Sequence, residues 1–390
     1  MKTVAHHNPL RLYVHIPFCV HKCHYCDFNS HVRDEPPWQA YQQALLQELE
    51  HWARHAPFAG RKIASLFFGG GTPSLAPAAL IAAVIETADR LFGMTESCEV
   101  TLEANPGSAD AQRFQGYRQA GVNRLSIGVQ SLDSVKLRWL ERIHGPQEAI
   151  EAFAMARQAG FDNINLDLMF GLPDQSLAHW LDTLQQVIAL EPEHLSCYQL
   201  TVEAHTALAA SHAQTPYPLP DDELALSMFY ATREQLAAAG FQADEISNFS
   251  RSGRHCRHND GYWQYDDYIG IGAGAAGKWD DNDGATMRYS NARTPERYIE
   301  LAASQGSAIN SSESLDRNKA AGEACWLALR RTDGLDRAAF RRRFGSDAAE
   351  QFACALQPWL ANGMLNMNEQ AIFITPEGLP LADSIAASVL

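Results

Sequence analysis

No run of apolar residues in this chain reaches the roughly 18–20 needed to cross a bilayer. The first residues, MKTVAHHNPLRLYVHIP, lack the apolar stretch of a secretory signal. A cytoplasmic protein is therefore the expectation. Positive charge is also in short supply: Lys and Arg number 31 against 46 Asp and Glu, a formal net charge of −15. Phosphate backbones are bound by clustered cations. The short basic cluster here, Arg341-Arg342-Arg343, reads as a solvated helix face, so nucleic acid is not an expected partner. Cysteine is scarce as well, with eight in 390 residues, which rules out a disulfide framework. Cys98, Cys197, Cys256, Cys325 and Cys354 are scattered, mostly in apolar stretches, and read as small core residues.

Against these shortages, 46% of the residues are hydrophobic, ample for a substantial core. Short β-rich runs alternate with helical patterns. The strand candidates are Leu12–Ile16, Ile63–Phe68, Glu99–Glu103, Arg124–Val129, Asn163–Met169 and His194–Leu200. Between them, Trp38–His55, Pro77–Phe92, Ala109–Ala120, Gln147–Ala159 and Leu177–Leu190 have helical spacing. Near-continuous apolar strands alternating with helices predict an α/β fold with a parallel sheet covered on both faces. One junction recurs: RQAGV before NRLSIGV, RQAGF before DNINLDLM, and LAAAGF before QADEIS. Each places a glycine where a helix must stop. The period predicts an open, partial (β/α)6 barrel over residues 1–300, with function at the carboxyl ends of its strands. Residues 301–318 are polar and turn-rich and predict a linker. Residues 319–390 predict a winged-helix-like α+β module with helices near Lys319–Arg331, Arg337–Phe344 and Asp347–Asn362, then a hairpin turning at Asn368–Gln370 and a final helix after Pro376.

The three remaining cysteines are crowded into one loop. Cys19, Cys23 and Cys26 form C-x-x-x-C-x-x-C directly after the first predicted strand. Thiolates are soft ligands for iron–sulfur clusters and zinc. Four cysteines close a [4Fe–4S] cube; three leave one iron open to a small molecule. S-adenosylmethionine (SAM), through its amino and carboxylate groups, is a candidate. Zinc is the alternative, with His15, His21, His24 or His31 as fourth ligand. After the second strand, Gly69–Ser74 (GGGTPS) gives a charged ligand open access to backbone amides, and without a following lysine it is not a nucleotide P-loop. Glu103, Gln130, Arg142 and Asp167 lie at or just beyond strand ends, where each is by itself an ordinary hydrogen-bonding residue.

The cysteine array, with Tyr25 before its third member and HIPFC around its first, resembles the radical SAM superfamily. Tyr13, six residues before Cys19, narrows this to the coproporphyrinogen-oxidase-like branch. The resemblance runs from about Tyr13 to Lys278. It implies a [4Fe–4S] cluster on Cys19, Cys23 and Cys26, and SAM contacts from Tyr13, Tyr25, Gly70, Gly71, Thr72, Glu103, Gln130, Arg142, Asp167 and Thr201. Oxygen-independent coproporphyrinogen III dehydrogenases of this branch carry a fourth cysteine two residues after the third, and a longer segment ahead of the array. Here that position is Phe28, in CDFNS, and 18 residues precede Cys19. Both departures move the resemblance to the HemW-type haem chaperones, which share the H-N-x-x-Y-W pattern of Arg257–Trp263 (RHNDGYW).

That resemblance implies haem binding, with His258 as axial iron ligand and Asn259, Tyr262 and Trp263 shaping the pocket. A neutral imidazole is a common haem ligand and flat aromatics pack on porphyrin. Cys256 is a weaker alternative ligand. Read without the resemblance, the segment is a capped loop whose Tyr and Trp belong to the core. The resemblance further implies delivery of haem to recipient haemoproteins, respiratory ones at the membrane among them, and allows a homodimer. Catalysis is left open, with oxidative decarboxylation of coproporphyrinogen III as the rival reading. Two positions depart from the pattern: Ala276, in YIGIGAGAAGK, where relatives usually have His, and Asp244, which replaces a usual Tyr. The Gly-rich stretch itself is expected beside the adenosyl group of SAM.

Overall fold

The computed structural model describes residues 10–107, 112–281 and 284–390. Twelve strands form one sheet. In chain order they are β1 (Leu10–Ile16), β2 (Ile63–Gly70), β3 (Met94–Ala104), β4 (Arg124–Gln130), β5 (Ile164–Phe170), β6 (His194–Gln199), β7 (Gln242–Ala243), β8 (Asn248–Ser250), β9 (Tyr268–Ile271), β10 (Ala276–Asp280), β11 (Thr286–Asn291) and β12 (Ile309–Leu315). The spatial order is β12-β11-β10-β9-β1-β2-β3-β4-β5-β6-β8-β7. Strands β1 to β6 are parallel neighbours, and these are the six expected from sequence. A seventh, β9, joins the parallel set beside β1. It was hidden in the Gly-rich stretch, where Gly270 leaves room for the Ala276 carbonyl. Antiparallel strands extend both edges, so the barrel stays open.

The two faces of the parallel strands differ. Leu12, Val14, Ile16, Leu66, Phe68, Leu102, Leu125, Ile127, Leu166 and Leu168 are wholly or almost wholly buried in one cluster, shared with the helices Trp38–Ala53, Ala78–Phe92, Pro146–Gln158 and Leu177–Ile188. Burying each such side chain is worth about 1.5–3 kcal/mol, and this layer anchors the sheet. The other face carries Arg11, His15, Ser65, Glu99, Glu103, Arg124, Ser126, Asn165, Asp167 and Ser196 at alternate positions. At the recurring junctions Gly121, Gly160 and Gly240 have φ of +106°, +90° and +83°, backbone that an L side chain resists.

The expected linker is not one. Residues 301–305 finish helix Pro295–Gln305, Gly306 caps it with φ 75°, and 309–315 are edge strand β12. Its residues are polar because, as an edge strand, nearly all of it faces water, while its backbone pairs with β11. Beyond it come helices Arg317–Ala328, Arg337–Phe344, Ala348–Gln351, Ala353–Ala361 and Ala382–Ala387, and a three-stranded antiparallel sheet of Leu335–Asp336, Ala371–Ile374 and Leu365–Met367. The helix expected over Asp347–Asn362 is broken at Phe352 into two. These elements share a second apolar cluster around Cys325, Phe340, Leu356, Ile372 and Ile385, joined by Tyr265 from the barrel.

Candidate cofactor site

A cavity of about 460 Å³ opens at the carboxyl ends of β2 to β6 and is roofed by the cysteine loop. Cys19, Cys23 and Cys26 all line it. The loop base is fixed by a two-strand pairing of Phe18–Cys19 with His31–Val32. Its middle turns where the Cys26 amide donates to the Cys23 carbonyl at 3.1 Å. Its end is pinned by Asn29, whose Nδ2 donates to the carbonyls of Ala273 and Arg293, each at 2.9 Å. The glycine turn packs directly on this loop. The amides of Gly71 and Thr72 donate to the Ile16 and Phe18 carbonyls at 2.8 and 2.9 Å. A Cβ on Gly71 would lie 2.9 Å from Cys19 Sγ, and one on Gly70 (φ +123°) would lie 2.7 Å from the His15 ring. The glycines therefore keep a space next to the thiol that any larger residue would fill.

Burial pushes the Cys19 and Cys26 thiols up, while the Thr72 hydroxyl, 3.5 Å from Cys19 Sγ, opposes this at Cys19. A deprotonated set thus requires positive charge. Arg142 brings some: its Nη1 is 3.9 Å from Cys23 Sγ, and Nη2 is held by Asn105 Oδ1 at 2.7 Å and the Gly128 carbonyl at 2.8 Å. Its Nε, buried, has no partner among the described residues. Among the described residues no three His, Cys, Asp or Glu side chains converge as a single metal ion requires. Of the histidines weighed as a fourth zinc ligand, His15 has both ring nitrogens bonded, and the other three have contacts of their own, though His24 Nδ1 lacks a hydrogen-bond partner among the described residues. His15 lies between Tyr13 Oη and the Asn29 carbonyl, His31 faces the Arg293 carbonyl, and His21 and His24 face Glu141. Three thiols around an open cavity, with no convergent four-ligand set among the described residues, fit a cluster that presents one iron to a ligand.

The cavity floor is built from alternate residues of the strands: Glu103 from β3, Ser126 and Gln130 from β4, Asn165 and Asp167 from β5, and Ser196 from β6. Glu103 Oε2 accepts from the Gly70 amide at 3.1 Å. Burial, reinforced by Asp167, pushes its carboxyl up to about 8. Asp167 accepts from Asn165 Nδ2 at 2.8 Å and Ser126 Oγ at 3.3 Å, and burial raises it too. Two desolvated carboxyls facing one cavity make a site for a cation. Gln130 has φ 65°, unusual for a residue with a side chain, at a register irregularity between β4 and β5. Gly70, Gly71, Thr72, Arg142, Tyr25 and Thr201 complete the expected set on this wall. Asn105, Arg124, Ser126, Asn165 and Ser196 also line it and were not foreseen. Their signal was available: polar residues at every second position of otherwise apolar strands, as in NINLD and RLSIG.

Three expectations need correction. Tyr13 is not among the residues that line the cavity; on the same face of β1 as Arg11 and His15, its ring stacks on Phe67, which does line it, and its hydroxyl is 2.9 Å from His15 Nδ1. The Gly-rich stretch is not on the cavity either. Gly274 packs on Asn29 and Gly272 on the His15 carbonyl, so this turn supports the cysteine loop, and Ala276 lies exposed at the start of β10. Third, His258 is 1% exposed and both its ring nitrogens are spoken for: Nδ1 with Ser65 Oγ and Nε2 with Tyr262 Oη, each at 2.9 Å. Burial keeps the ring neutral, yet no lone pair is open to iron.

The reason lies in where helix Arg257–Trp263 sits. It crosses the polar face of the sheet at the amino ends of the strands. Glu99 accepts from the amides of Arg257 and His258 at 3.2 and 3.1 Å and lies 3.6 Å from Cys256 Sγ, while Arg11 Nη1 donates to the Arg257 carbonyl at 2.6 Å. His258 and Tyr262, four apart, face the sheet, whereas Asn259 and Trp263 lie on another face of the helix. Asn259 reaches the cofactor cavity. Asp244 bonds Ser250 Oγ at 2.7 Å and lies outside that cavity.

Residues 13–187 match the family model of the radical SAM superfamily, and 315–381 match that of the HemN C-terminal domain. The chain is 45% identical to the heme chaperone HemW of Escherichia coli over 75% of this chain and 76% of that protein. It is 32% identical to the Bacillus subtilis heme chaperone HemW over 97% and 98%. A mouse protein, the mitochondrial radical S-adenosyl methionine domain-containing protein 1, is 35% identical over 97% and 87%. Among solved structures, the radical SAM enzyme coproporphyrinogen III oxidase (HemN) of Escherichia coli superposes with a TM-score of 0.82 at 26% identity, covering 98% of this chain and 90% of that one. Identity at this level across nearly the whole length places the chain in a family: it belongs to the HemW family of radical SAM proteins.

Proposed function

We propose that this protein is a cytoplasmic haem chaperone that carries a [4Fe–4S] cluster and SAM in the cavity beneath its cysteine loop. The observation that carries the reading is the identity to proteins named heme chaperone HemW, sustained over the full length in one of them. Cys19, Cys23 and Cys26 would hold the cluster, with Arg142 offsetting thiolate charge and Gly70, Gly71 and Thr72 keeping the open side clear. Glu103 and Asp167 would receive the ammonium and sulfonium charge of SAM, and Gln130 and Thr201 its polar groups. When bound, the pair supplies redox chemistry at one iron. The protein's part is to seat both groups and exclude water. Recipients would be apo-haemoproteins, and no helix of the described residues is long and apolar enough to cross a membrane.

The rival, oxidative decarboxylation of coproporphyrinogen III, draws on the likeness to HemN. The same cavity would serve it, so the cysteines do not discriminate. Phe28, 62% exposed on the cavity rim, stands where the dehydrogenases carry their fourth cysteine. Anaerobic reconstitution with iron and sulfide, followed by haem titration and assay on coproporphyrinogen III, separates the two. Stoichiometric haem uptake without turnover is expected; robust decarboxylation would overturn the chaperone reading.

A further inference from the structure

Two more cavities lie against helix Arg257–Trp263, the smaller of them sharing Asn248 and Asn259 with the cofactor cavity. The smaller, about 300 Å³, is walled by His194, Asp244, His255 and Asn259. The larger, about 1200 Å³, lies between the barrel and the C-terminal module. They meet at Trp263 and Arg331, which line both. The Trp263 indole lines both, with the Arg330 guanidinium 5.4 Å from its ring centroid and its Nε1 buried without an acceptor among the described residues.

We infer that haem is held in these paired cavities, with its iron at His255, its ring against Trp263 and its carboxylates toward Arg342. The inference rests on the haem-chaperone reading above. Of the nearby ligand candidates, His258 has both nitrogens bonded within the core. His194 is 1% exposed and its Nε2 faces Asp244 Oδ2 at 3.5 Å. The Cys256 thiol is pushed up to about 12 by burial and lies beside Glu99, so it is no thiolate at neutral pH. His255 is exposed, lines the smaller cavity and makes no hydrogen bond or ion pair among the described residues.

Charge points the carboxylates into the larger cleft. Its acids are answered: Asp266 by Arg11, Asp280 by Arg343, Asp333 loosely by Arg331, and Asp336 by the Ala339 amide that it caps. Arg342 lines the same cleft, exposed, with no hydrogen bond or ion pair among the described residues. A planar dicarboxylate is the ligand that an indole wall, an open imidazole and a spare guanidinium would take together.

The test titrates the full-length, cluster-reconstituted protein with haem and with metal-free protoporphyrin IX, for wild type, His255→Ala and Arg342→Glu. Both substitutions are at exposed positions, and unchanged circular dichroism and cluster absorbance check the fold. His255→Ala is expected to alter the Soret band and weaken haem about tenfold or more while leaving protoporphyrin IX unaffected. Arg342→Glu is expected to weaken both ligands about tenfold. A wild-type haem spectrum and affinity in His255→Ala would overturn the iron assignment, and unchanged porphyrin affinity in Arg342→Glu would overturn the orientation. If wild type takes up no haem, the chaperone reading itself fails; if it does and neither variant differs, only this location fails.

Discussion

Glu103 shows what a binding site costs before its ligand arrives. Its folded-state value of about 8 lies above the ordinary 4.5. Protonation of this carboxyl therefore stabilises the apo protein, fully below about pH 4.5 and progressively less as pH rises through 8. Glu103→Gln should raise the apo melting temperature at pH 8.5, with a much smaller gain near pH 4.5, and should weaken SAM binding at both. Equal melting curves at pH 8.5 would mean that burial does not disfavour the ionised carboxyl. Cys23→Ala should abolish the visible cluster absorbance after reconstitution; an intact chromophore would place the cluster elsewhere. The cysteines were legible because a local spacing reports a local loop. Tyr13 was misplaced because its ring packs on Phe67 of the neighbouring strand, which takes the place on the cavity wall, and a local sequence pattern does not report such a cross-strand contact.

At the scale of elements, the first turn of helix Arg257–Trp263 is held on the sheet by one carboxylate, Glu99, together with Arg11 and Ser65. Glu99→Ala would strand the amides of Arg257 and His258 in a buried setting, a loss of about 2–4 kcal/mol by urea unfolding. Tyr262→Phe removes the hydroxyl at His258 Nε2 and should cost about 1–2 kcal/mol while leaving the cluster spectrum intact. No change in stability would mean that His258 is not locked as described. The motif was readable as a motif, but its orientation was not. Four-residue spacing puts His258 with Tyr262 and Asn259 with Trp263, and only the long-range bonds to Ser65 and Glu99 decide which pair faces the core. Strands β1 to β6 were legible from apolar runs and glycine stops. β9 and β12 were not, since one is glycine-rich for close packing and the other polar at a solvated edge.

Across the whole molecule, barrel and C-terminal module are joined by charged contacts. Arg343 donates to Asp280 at 2.6 Å and to the Tyr265 carbonyl at 2.7 Å; Arg331 pairs with Asp260 at 2.9 Å; Arg288 pairs with Glu323. Arg343→Ala should loosen this junction by about 1–2 kcal/mol and speed limited proteolysis between the two; an unchanged digestion pattern would argue against it. The same junction walls the larger cleft, so a chaperone that loads and releases haem there would respond to its opening. Haem transfer itself is measured by loading the reconstituted protein with one equivalent of haem under anaerobic conditions and adding an apo-haemoprotein. The chaperone reading predicts that the Soret band moves from this protein to the acceptor faster than from free haem in the same buffer. Failure to take up haem, or turnover of coproporphyrinogen III by the same preparation, would contradict it.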